Sequence, residues 1–324
     1  MKALVTGAAG FIGSRVCQEL AGQDFTVRAL ALPGENTSAV ERWASEIHRG
    51  DITKPNTLKG ASDGVDLVIH LAARVADWGP RKAFYDTILE GTRNLLKESQ
   101  GKVNRFVHVS SIAALGLGRH LKGLTEDDPP QKSGVPYNDA KLEAEALVKS
   151  FNGPAGMTTV IVRPANVIGP GSVWVKDVAA RFKSGLVPLM DQGQHSASLV
   201  YVSNLADGII LAGTVEQAAG RIYHLRDDYD VTWKRYLTDL SAMVGKKPSF
   251  SVPFRFAWNF GAIMEAILTP LNVRPPVTRL AAGVMGRDLD VDTARAKSEL
   301  GWQTRVPYEQ GMDEIHAWVR DNIN

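Results

Sequence analysis

Short apolar runs alternate with longer segments of helical periodicity along the first half of the chain. The predicted strands are Ala3–Val5, Thr26–Leu30, Leu67–Leu71, Arg105–Ser110 and Thr158–Arg163. The predicted helices between them include Gly13–Ala21, Arg81–Gln100 and Tyr137–Phe151. Strands that alternate with helices predict right-handed crossovers and a parallel sheet. The fold class is therefore predicted to be α/β, with a doubly wound sheet.

A glycine-rich turn follows the first predicted strand. Gly7, Gly10 and Gly13 stand between that strand and the first helical pattern, and Phe11 and Ile12 separate the last two glycines. Bare backbone N–H groups at such a turn approach a pyrophosphate closely, and the helix dipole favours its negative charge. These five residues are therefore predicted to contact a dinucleotide.

The alternating pattern also predicts a domain boundary. Glycine and proline interrupt it from Gly169 onwards, whereas Leu199–Gly213 and Arg221–Leu225 resume it. This interruption and return of the pattern predict a dinucleotide-binding domain and a smaller, discontinuous C-terminal substrate lobe. The predicted domain is 1–168, completed by about 199–230, and the lobe with its C-terminal helices is 169–198 and 231–324.

Tyr137 and Lys141 lie four residues apart in a predicted helix. A phenol and an ammonium therefore share one helix face, with Cβ atoms roughly 5–6 Å apart. Ser111 follows the strand before this helix. Ligands of doubly wound sheets sit beyond the carboxyl ends of strands, so Ser111 is expected to face the crevice above the glycine turn. The alternative is a solvated helix face on which Lys141 pairs with Glu145.

Several motifs in order carry a resemblance to a known family. They are Thr6-Gly7-x-x-Gly10-x-x-Gly13, Gly50-Asp51-Ile52, His70-Leu71-Ala72-Ala73, Ser110-Ser111, Tyr137-x-x-x-Lys141, Arg163-Pro164-x-x-Val167-x-Gly169-Pro170 and Glu299-Leu300-Gly301-Trp302. Over essentially its full length the chain resembles the extended short-chain dehydrogenase/reductases, also called the NAD-dependent epimerase/dehydratase family. The resemblance implies a Rossmann fold, a nicotinamide cofactor and catalysis by Ser111, Tyr137 and Lys141. Tyr137 would carry the proton, with its pKa lowered by Lys141 and the oxidised nicotinamide, while Ser111 holds the substrate oxygen.

The cofactor is expected to contact these motifs, apart from Ser110-Ser111 and the last one. Beyond the glycine turn, the predicted contacts are Arg28, Asp51, Ile52, Leu71, Ala72, Ala73, Tyr137, Lys141, Pro164 and Val167. Asp51 is expected to accept a hydrogen bond from the adenine amino group, or else to cap a helix ahead of Pro55. Ala31 and Leu32 end the second strand without a carboxylate that would repel a 2′-phosphate, which slightly favours NADP over NAD. The alternative for Arg28 is a stem packed along the sheet edge.

The chain departs from the family at one position near this site. Family members commonly carry Asn-Val-x-Gly-Thr in the helix after the fourth strand, whereas this chain has Ile88-Leu89-Glu90-Gly91-Thr92. Ile88 offers no donor or acceptor. Any polar contact that the asparagine makes in relatives is therefore absent here or is made by another residue.

The substrate is predicted to be lipophilic. The nucleotide-sugar enzymes of the family carry an arginine in the segment that here runs from Gln192 to Asn204, and no arginine occurs in it. The segments Ala72–Pro80 and Pro275–Arg279 resemble instead the 3β-hydroxysteroid dehydrogenase branch. The predicted substrate contacts are Trp78, Ser111, Asn166 and Trp174. We therefore expect an NAD(P)-dependent dehydrogenase or reductase for a bulky secondary alcohol or ketone, 3β-hydroxysteroid-like or 3-keto-acid-like. A nucleotide-sugar epimerase and a catalytically idle binding subunit are the alternatives.

Composition adds mainly exclusions. The 324 residues carry a net charge of +2, which argues against a nucleic-acid surface, and Cys17 has no partner for an intramolecular disulfide. The chain opens on a strand rather than a leader, so cytoplasmic localisation is expected. The segment 254–268 is too short and too interrupted by charge to span a membrane; it is predicted to pack inward, with peripheral membrane contact left open. His70 and His195 are predicted to be structural, and no metal site is expected. Whether the protein forms a homodimer is left open.

Overall fold

A parallel β-sheet forms the centre of the molecule, in a computed structural model that describes residues 1–185, 187–248 and 250–323. The strands of the described chain are β1 (Lys2–Thr6), β2 (Thr26–Ala31), β3 (Glu46–Arg49), β4 (Leu67–His70), β5 (Arg105–Val109), β6 (Leu121–Leu124), β7 (Thr158–Pro164), β8 (Asn166–Ile168), β9 (Leu189–Met190), β10 (Leu199–Tyr201), β11 (Ile222–Leu225), β12 (Ser251–Val252) and β13 (Leu289–Val291). The central sheet has the order β11-β7-β5-β4-β1-β2-β3, and every neighbouring pair in it is parallel.

Helices cover both faces of this sheet. They are α1 (Phe11–Gly22), α2 (Arg81–Phe84), α3 (Gly91–Ser99), α4 (Pro136–Ser150), α5 (Val173–Ser184), α6 (Val202–Thr214), α7 (Trp233–Ala242), α8 (Phe254–Leu268), α9 (Arg279–Met285), α10 (Ala294–Leu300) and α11 (Tyr308–Asn322). A π-helical turn, Tyr85–Glu90, joins α2 to α3. No helix in the described ranges has the length and apolar character that crossing a membrane requires.

Alternating side chains of the central strands explain the two layers of helices. Leu4 of β1 packs on the face covered by α3, together with Leu95 and Leu96. Its neighbours Ala3 and Val5 pack on the opposite face, against residues of α1 and α6. The predicted Rossmann-type doubly wound α/β sheet is confirmed. Its strand order reverses between β1 and β4, which opens a crevice at the carboxyl ends of these two strands.

The predicted elements agree with the observed ones except at the sheet edge and in one helix. Each of the five predicted strands is present within one residue at either end. The edge strand Glu46–Arg49 was missing from the predicted set, because its polar and partly exposed residues lack the apolar run by which the others were identified. The predicted helix Arg81–Gln100 is continuous in space but changes to π-helical winding between α2 and α3.

The predicted lobe and the central sheet share one apolar core. Trp233, Leu240 and Val284 of the lobe segments belong to the same buried cluster as Val5 and Val109 of the sheet. Short parallel pairs β8–β10, β9–β12 and β6–β13 tie the remaining segments together. Next to the last pair, Asp288 joins two histidines, with its carboxylate 2.9 Å from His120 Nδ1 and 3.3 Å from His195 Nδ1.

Helix α8 departs from the prediction that it packs inward. Phe254, Ala257 and Gly261 are buried on one side. The other side carries large apolar side chains that are more than half exposed, namely Phe256, Ile263 and Ile267, and Leu271 continues the row beyond the helix. Both the buried and the exposed face of α8 therefore contain large apolar residues.

Candidate active site

The glycine turn leaves the N-terminus of α1 open at the crevice. Gly7 adopts φ +65°, a conformation that side chains rarely tolerate, and its carbonyl oxygen accepts the N–H of Gly10 at 3.0 Å. No side chain caps α1 at Gly10. A Cβ atom on Gly13 would lie 2.1 Å from the Gly7 oxygen, whereas one on Gly10 would meet only that oxygen, at 3.2 Å. Gly13 therefore serves the turn itself, and the open space beside Gly10 fits a pyrophosphate.

A buried hydrogen-bond chain fixes the turn after β4 beside this loop. The Thr6 hydroxyl contacts His70 Nδ1 at 2.8 Å and accepts the N–H groups of Leu71 and Ala72. His70 Nε2 lies 2.9 Å from Thr92 Oγ1, which donates its own hydrogen to the Ile88 carbonyl. Because the Thr92 hydroxyl uses its hydrogen on the Ile88 carbonyl, it must accept a hydrogen bond from His70. The ring hydrogen of His70 is therefore assigned to Nε2. Burial lowers the pKa of His70 to about 3, so the ring is a neutral structural group, as predicted.

The three predicted catalytic residues meet at the end of β5. Ser111 follows this strand and accepts the N–H of Ala113, while Tyr137 and Lys141 occupy the first turns of α4. Lys141 is buried, and its Nζ donates to the carbonyl oxygen of Val109 at 2.8 Å. The structure thus brings together the residues that the sequence placed in one crevice.

Burial controls the electrostatics of this trio. It raises the pKa of Tyr137 to about 12, although a hydrogen bond with Ser111 acts in the opposite direction. It lowers the pKa of Lys141 to about 8, although the nearby Glu145 charge favours the ammonium. At neutral pH, therefore, Tyr137 is a phenol with a proton to give and Lys141 is mainly cationic. Such an arrangement is suited to protonating an oxygen atom.

A buried ion pair lies on the inner side of α4, where the alternative interpretation expected a solvated face. Glu145 accepts from Ser110 Oγ at 2.6 Å and from Arg163 at 2.9 and 2.7 Å. Arg163 is fully buried and also contacts His224 Nε2 at 3.2 Å. The alternative pairing of Lys141 with Glu145 on a solvated helix face is therefore wrong. The sequence contained the signal for this pair only as a charged residue inside an apolar strand.

A cavity of about 210 Å³ opens beside Tyr137. Trp78, Phe84 and Val135 contribute apolar wall, and α8 contributes Ala262 and Ala266. Phe84 packs edge-on against Tyr137, with ring centroids 6.4 Å apart. Trp78 thus lies where the sequence placed a substrate contact, whereas Phe84 was not among the predicted residues.

Two other predicted substrate contacts lie elsewhere. The Trp174 ring packs against Trp233 at 5.0 Å between α5 and α7, and it is not among the residues that line the cavity. Trp174 is partly buried beside the core, and its substrate contact remains a prediction. Asn166 donates its amide to the Ala197 carbonyl at 2.7 Å and so links β8 to the segment before β10. The predicted substrate contact of Asn166 remains a prediction.

Arg28 of β2 binds groups within the protein. Its Nη1 donates to the carbonyl oxygens of Gly60, Ala61 and Asp63, and its Nε lies 2.9 Å from Glu46. The guanidinium is buried and held by these protein groups, which favours the alternative of a stem packed along the sheet edge over the predicted cofactor contact.

The loop beyond β2 places two other charged groups near the expected adenosine end of the cofactor. Glu35 accepts the N–H of Leu32 at 2.8 Å, and Arg49 donates to the Leu32 and Glu35 carbonyls. Asp51 Oδ1 accepts from the N–H and hydroxyl of Thr53. Its predicted adenine contact remains a prediction, as do the predicted cofactor contacts of Ile52, Pro164 and Val167.

Apolar side chains surround Ile88, which stands at the family's asparagine position. Ile88 is buried in the π-helical turn and packs in a cluster with Ala140 and Ala144 of α4. Tyr137 borders the same cluster. The side chain at this position therefore makes no polar contact, and Lys141 donates to the Val109 carbonyl of β5.

Comparison with known proteins agrees with this geometry. Residues 3–225 match the model of the NAD dependent epimerase/dehydratase family. The chain is 30% identical over 322 residues to 4-hydroxy-2-methyl-3-oxo-4-farnesyl-3,4-dihydroquinoline-1-oxide ketoreductase from Stigmatella aurantiaca, covering 97% of this chain and 96% of the relative. It is 27% identical to 2-alkyl-3-oxoalkanoate reductase from Shewanella oneidensis, covering 97% and 85%.

A solved structure shows that the likeness extends to the fold. UDP-glucose 4-epimerase from Thermotoga maritima, determined with UDP-glucose, superposes with a TM-score of 0.80 at 22% identity, and all of both chains is covered. The glycine turn, the trio at the end of β5 and the family match over most of the chain lead to one conclusion. The protein belongs to the NAD-dependent epimerase/dehydratase family and is a dehydrogenase/reductase of the extended short-chain type.

Proposed function

We propose that the protein interconverts a bulky lipophilic ketone and the corresponding secondary alcohol through Ser111, Tyr137 and Lys141. One observation carries this proposal: the Tyr137 ring forms part of a largely apolar cavity wall together with Trp78 and Phe84. An oxygen atom of a substrate held there would meet the only group in this wall with a phenolic proton. Among the described residues, the cavity lining includes just two acidic groups and one basic group, Asp77, Glu265 and Arg279.

In the reducing direction a nicotinamide cofactor held above the glycine turn would supply a hydride to the carbonyl carbon. Ser111 hydrogen-bonds the carbonyl oxygen, and Tyr137 transfers its proton to that oxygen, which becomes the alcohol hydroxyl. Lys141 keeps a positive charge near the resulting phenolate, which lowers the cost of that proton transfer. The raised pKa of Tyr137 means that the protein holds this proton at neutral pH before the reaction begins.

The relatives support a ketone substrate. The two curated relatives are named as reductases of oxo compounds, one with a farnesyl chain and one with alkyl chains. Nucleotide-sugar epimerisation is the weaker alternative, because residues 192–204 contain no arginine to bind a diphosphate. An idle binding subunit has no use for the buried ammonium and the phenol that α4 holds together.

We further propose NAD rather than NADP as the cofactor. The slight preference for NADP rested on the absence of a carboxylate at the end of β2. Arg28 is used elsewhere, and the Glu35 carboxylate lies against the Leu32 N–H, where it would repel a 2′-phosphate. Replacement of Glu35 by Gln is expected to narrow the difference between the Kd values of NADH and NADPH.

The proposed activity is tested by following oxidation of reduced cofactor with a steroid 3-ketone, a 2-alkyl-3-oxo acid and UDP-glucose in parallel. We expect turnover of at least one ketone by the wild-type protein and its loss in Tyr137→Phe. Binding of UDP-glucose without turnover of any ketone would overturn the proposal in favour of the epimerase alternative.

A further inference from the structure

Two histidines and one aspartate meet beside the paired strands β6 and β13. His120 directly precedes β6, Asp288 directly precedes β13, and His195 lies shortly before β10. The two imidazole rings stand 5.0 Å apart, centroid to centroid. One potential ligand atom from each of the three residues lies within 4.8 Å of the other two. Imidazole nitrogens and carboxylate oxygens are ligands that Zn²⁺ takes in proteins.

The distances around Asp288 suit a tetrahedral ion. Its Oδ2 atom lies 2.9 Å from His120 Nδ1, and its Oδ1 atom lies 3.3 Å from His195 Nδ1. Ligand atoms bound to a tetrahedral Zn²⁺ are roughly 3.3–3.4 Å from one another, so both separations already lie near that value. The His120 side chain is 47% exposed and can turn toward the other two ligands without disturbing the core.

A second carboxylate lies behind His195, on the opposite edge of its ring. His195 Nε2 is 3.8 Å from Asp191 Oδ2. Asp191 is itself fixed, because it accepts the N–H of Phe254 at 2.9 Å and pairs with Arg287 at 2.9 Å. Histidine ligands of metals commonly direct their second nitrogen at a carboxylate, which sets the tautomer and makes the metal-facing nitrogen more basic. Nδ1 of His195 is therefore the nitrogen available to an ion.

An open cavity of about 410 Å³ gives an ion access to Asp288. Among the residues that the structure describes, the charged groups in its lining are Lys122, Arg226, Asp228, Asp230, Asp288 and Asp290. Carboxylates outnumber cations here even when Lys297, which pairs with Asp228, is included, and this surplus attracts a cation. Lys122 Nζ lies 3.2 Å from Asp288 Oδ2, so an ion must displace this ammonium. The Lys122 side chain is 72% exposed and can move into solvent.

We propose that His120, His195 and Asp288 bind one Zn²⁺ ion, with water as the fourth ligand. None of the three is among the residues that line the cavity beside Tyr137, so the ion has a structural role separate from the proposed reaction. Asp288 is 168 positions from His120 and 93 from His195. Ligands so far apart form no spacing motif, which is why no metal site was expected from the sequence.

The test is a calorimetric titration of the intact, chelator-treated protein with ZnCl₂. His120→Ala removes a ligand at the exposed edge of the cluster, and Asp288→Asn removes a charge while keeping the shape of the side chain. His316→Ala is the matched control, because His316 is an exposed histidine of α11 that is not one of the three ligands. Lys122→Gln removes the competing ammonium.

We expect the wild type to bind one Zn²⁺ per chain. His120→Ala and Asp288→Asn should each weaken the affinity by about tenfold or more, because even the loss of a partner behind a ligand has an effect of that size. His316→Ala should bind as the wild type does, and Lys122→Gln should bind more tightly. A hundredfold excess of free Zn²⁺ over its Kd should raise the wild-type Tm by about 4 °C, and the rise should be smaller in His120→Ala.

Absence of saturable binding at one ion per chain would overturn the inference. Wild-type affinity in His120→Ala or in Asp288→Asn would overturn it too. A loss in His316→Ala equal to that in the ligand variants would have the same meaning, because scattered histidines would then bind the ion. Weaker binding by Lys122→Gln would contradict the displacement of the ammonium on which the site depends. None of these outcomes depends on ketone turnover, so the inference and the proposed function are tested separately.

Discussion

Lys141 of α4 donates to the carbonyl oxygen of Val109, the last residue of β5, across 2.8 Å. This bond joins the helix that carries Tyr137 to the strand that leads into Ser111. The ammonium therefore has a positioning role in addition to its charge. Because the same side chain is buried, its protonation state depends on the fold, and this dependence can be measured.

Replacement of Tyr137 by Phe tests the proton donor. The ring still packs against Phe84, but the hydroxyl is lost, so turnover should fall by roughly 10²-fold or more while cofactor binding is unchanged. Steady-state kinetics and a fluorescence titration with NADH measure the two quantities separately. Turnover near the wild-type level would mean that another group supplies the proton.

The pH dependence of activity should reflect Lys141. Burial lowers the pKa of this lysine from 10.5 to about 8, so the ammonium is lost as the pH rises through about 8, and turnover should fall with it. The free energy of unfolding should change in the opposite direction. Between about pH 8 and 10.5 the unfolded chain binds the proton more tightly than the folded one, so the contribution of Lys141 to stability rises with pH.

Lys141→Met is the control for the effect on stability, because its unfolding free energy should lack this rise. Tyr137 and His70 do not titrate in the same window, because their pKa values are about 12 and about 3. A pH–rate profile that stays flat through this window would contradict the prediction.

Replacement of Gly10 by Val tests the pyrophosphate site. The new side chain meets little of the protein apart from the Gly7 oxygen, so its methyl groups enter the crevice and should weaken NADH binding by about tenfold or more with little loss of stability. Gly22→Ala at the far end of α1, where a Cβ meets nothing within 4 Å, is the matched control. Unchanged affinity in Gly10→Val, measured by calorimetric titration, would remove the turn from the cofactor site.

Replacement of Thr92 by Val tests the buried chain through His70. The substitution preserves shape and leaves the ring Nε2–H without an acceptor, which should lower the free energy of unfolding by about 1–3 kcal/mol. Thr92→Ser retains the hydroxyl and should recover most of that loss. Urea denaturation of the three proteins provides the measurement, and equal midpoints for Val and wild type would show that the ring hydrogen has another acceptor.

Elements of the fold were predictable from the sequence where their conformation depends on residues that are neighbours in the chain. The apolar runs of the inner strands and the glycine turn before α1 were predictable, because burial on both faces and the left-handed Gly7 leave direct marks in the sequence. Glu46–Arg49 was not, since an edge strand needs no apolar run. The exposed face of α8 was not predictable either, because its apolar residues imply burial that the fold does not provide.

The positions of the candidate site residues were predictable where helix spacing fixes them, and not where tertiary packing chooses between alternatives. Tyr137 and Lys141 lie as the spacing predicts. Trp174 and Arg28 carry side chains suited to a pocket and to a phosphate, yet one packs against Trp233 and the other binds three backbone carbonyls. Nothing in the local sequence distinguishes these outcomes, because the partners are distant in the chain.

The pairing of β6 with β13 has a consequence for how the chain is made. Leu121 and Leu289 are partners in this pair, and the neighbouring His120 and Asp288 are separated by 168 positions. During synthesis on the ribosome, β6 cannot pair with β13 until a further length of chain, more than half of the whole, has been added. The strand is short and carries an exposed lysine, Lys122, which discourages pairing with another nascent chain during that interval.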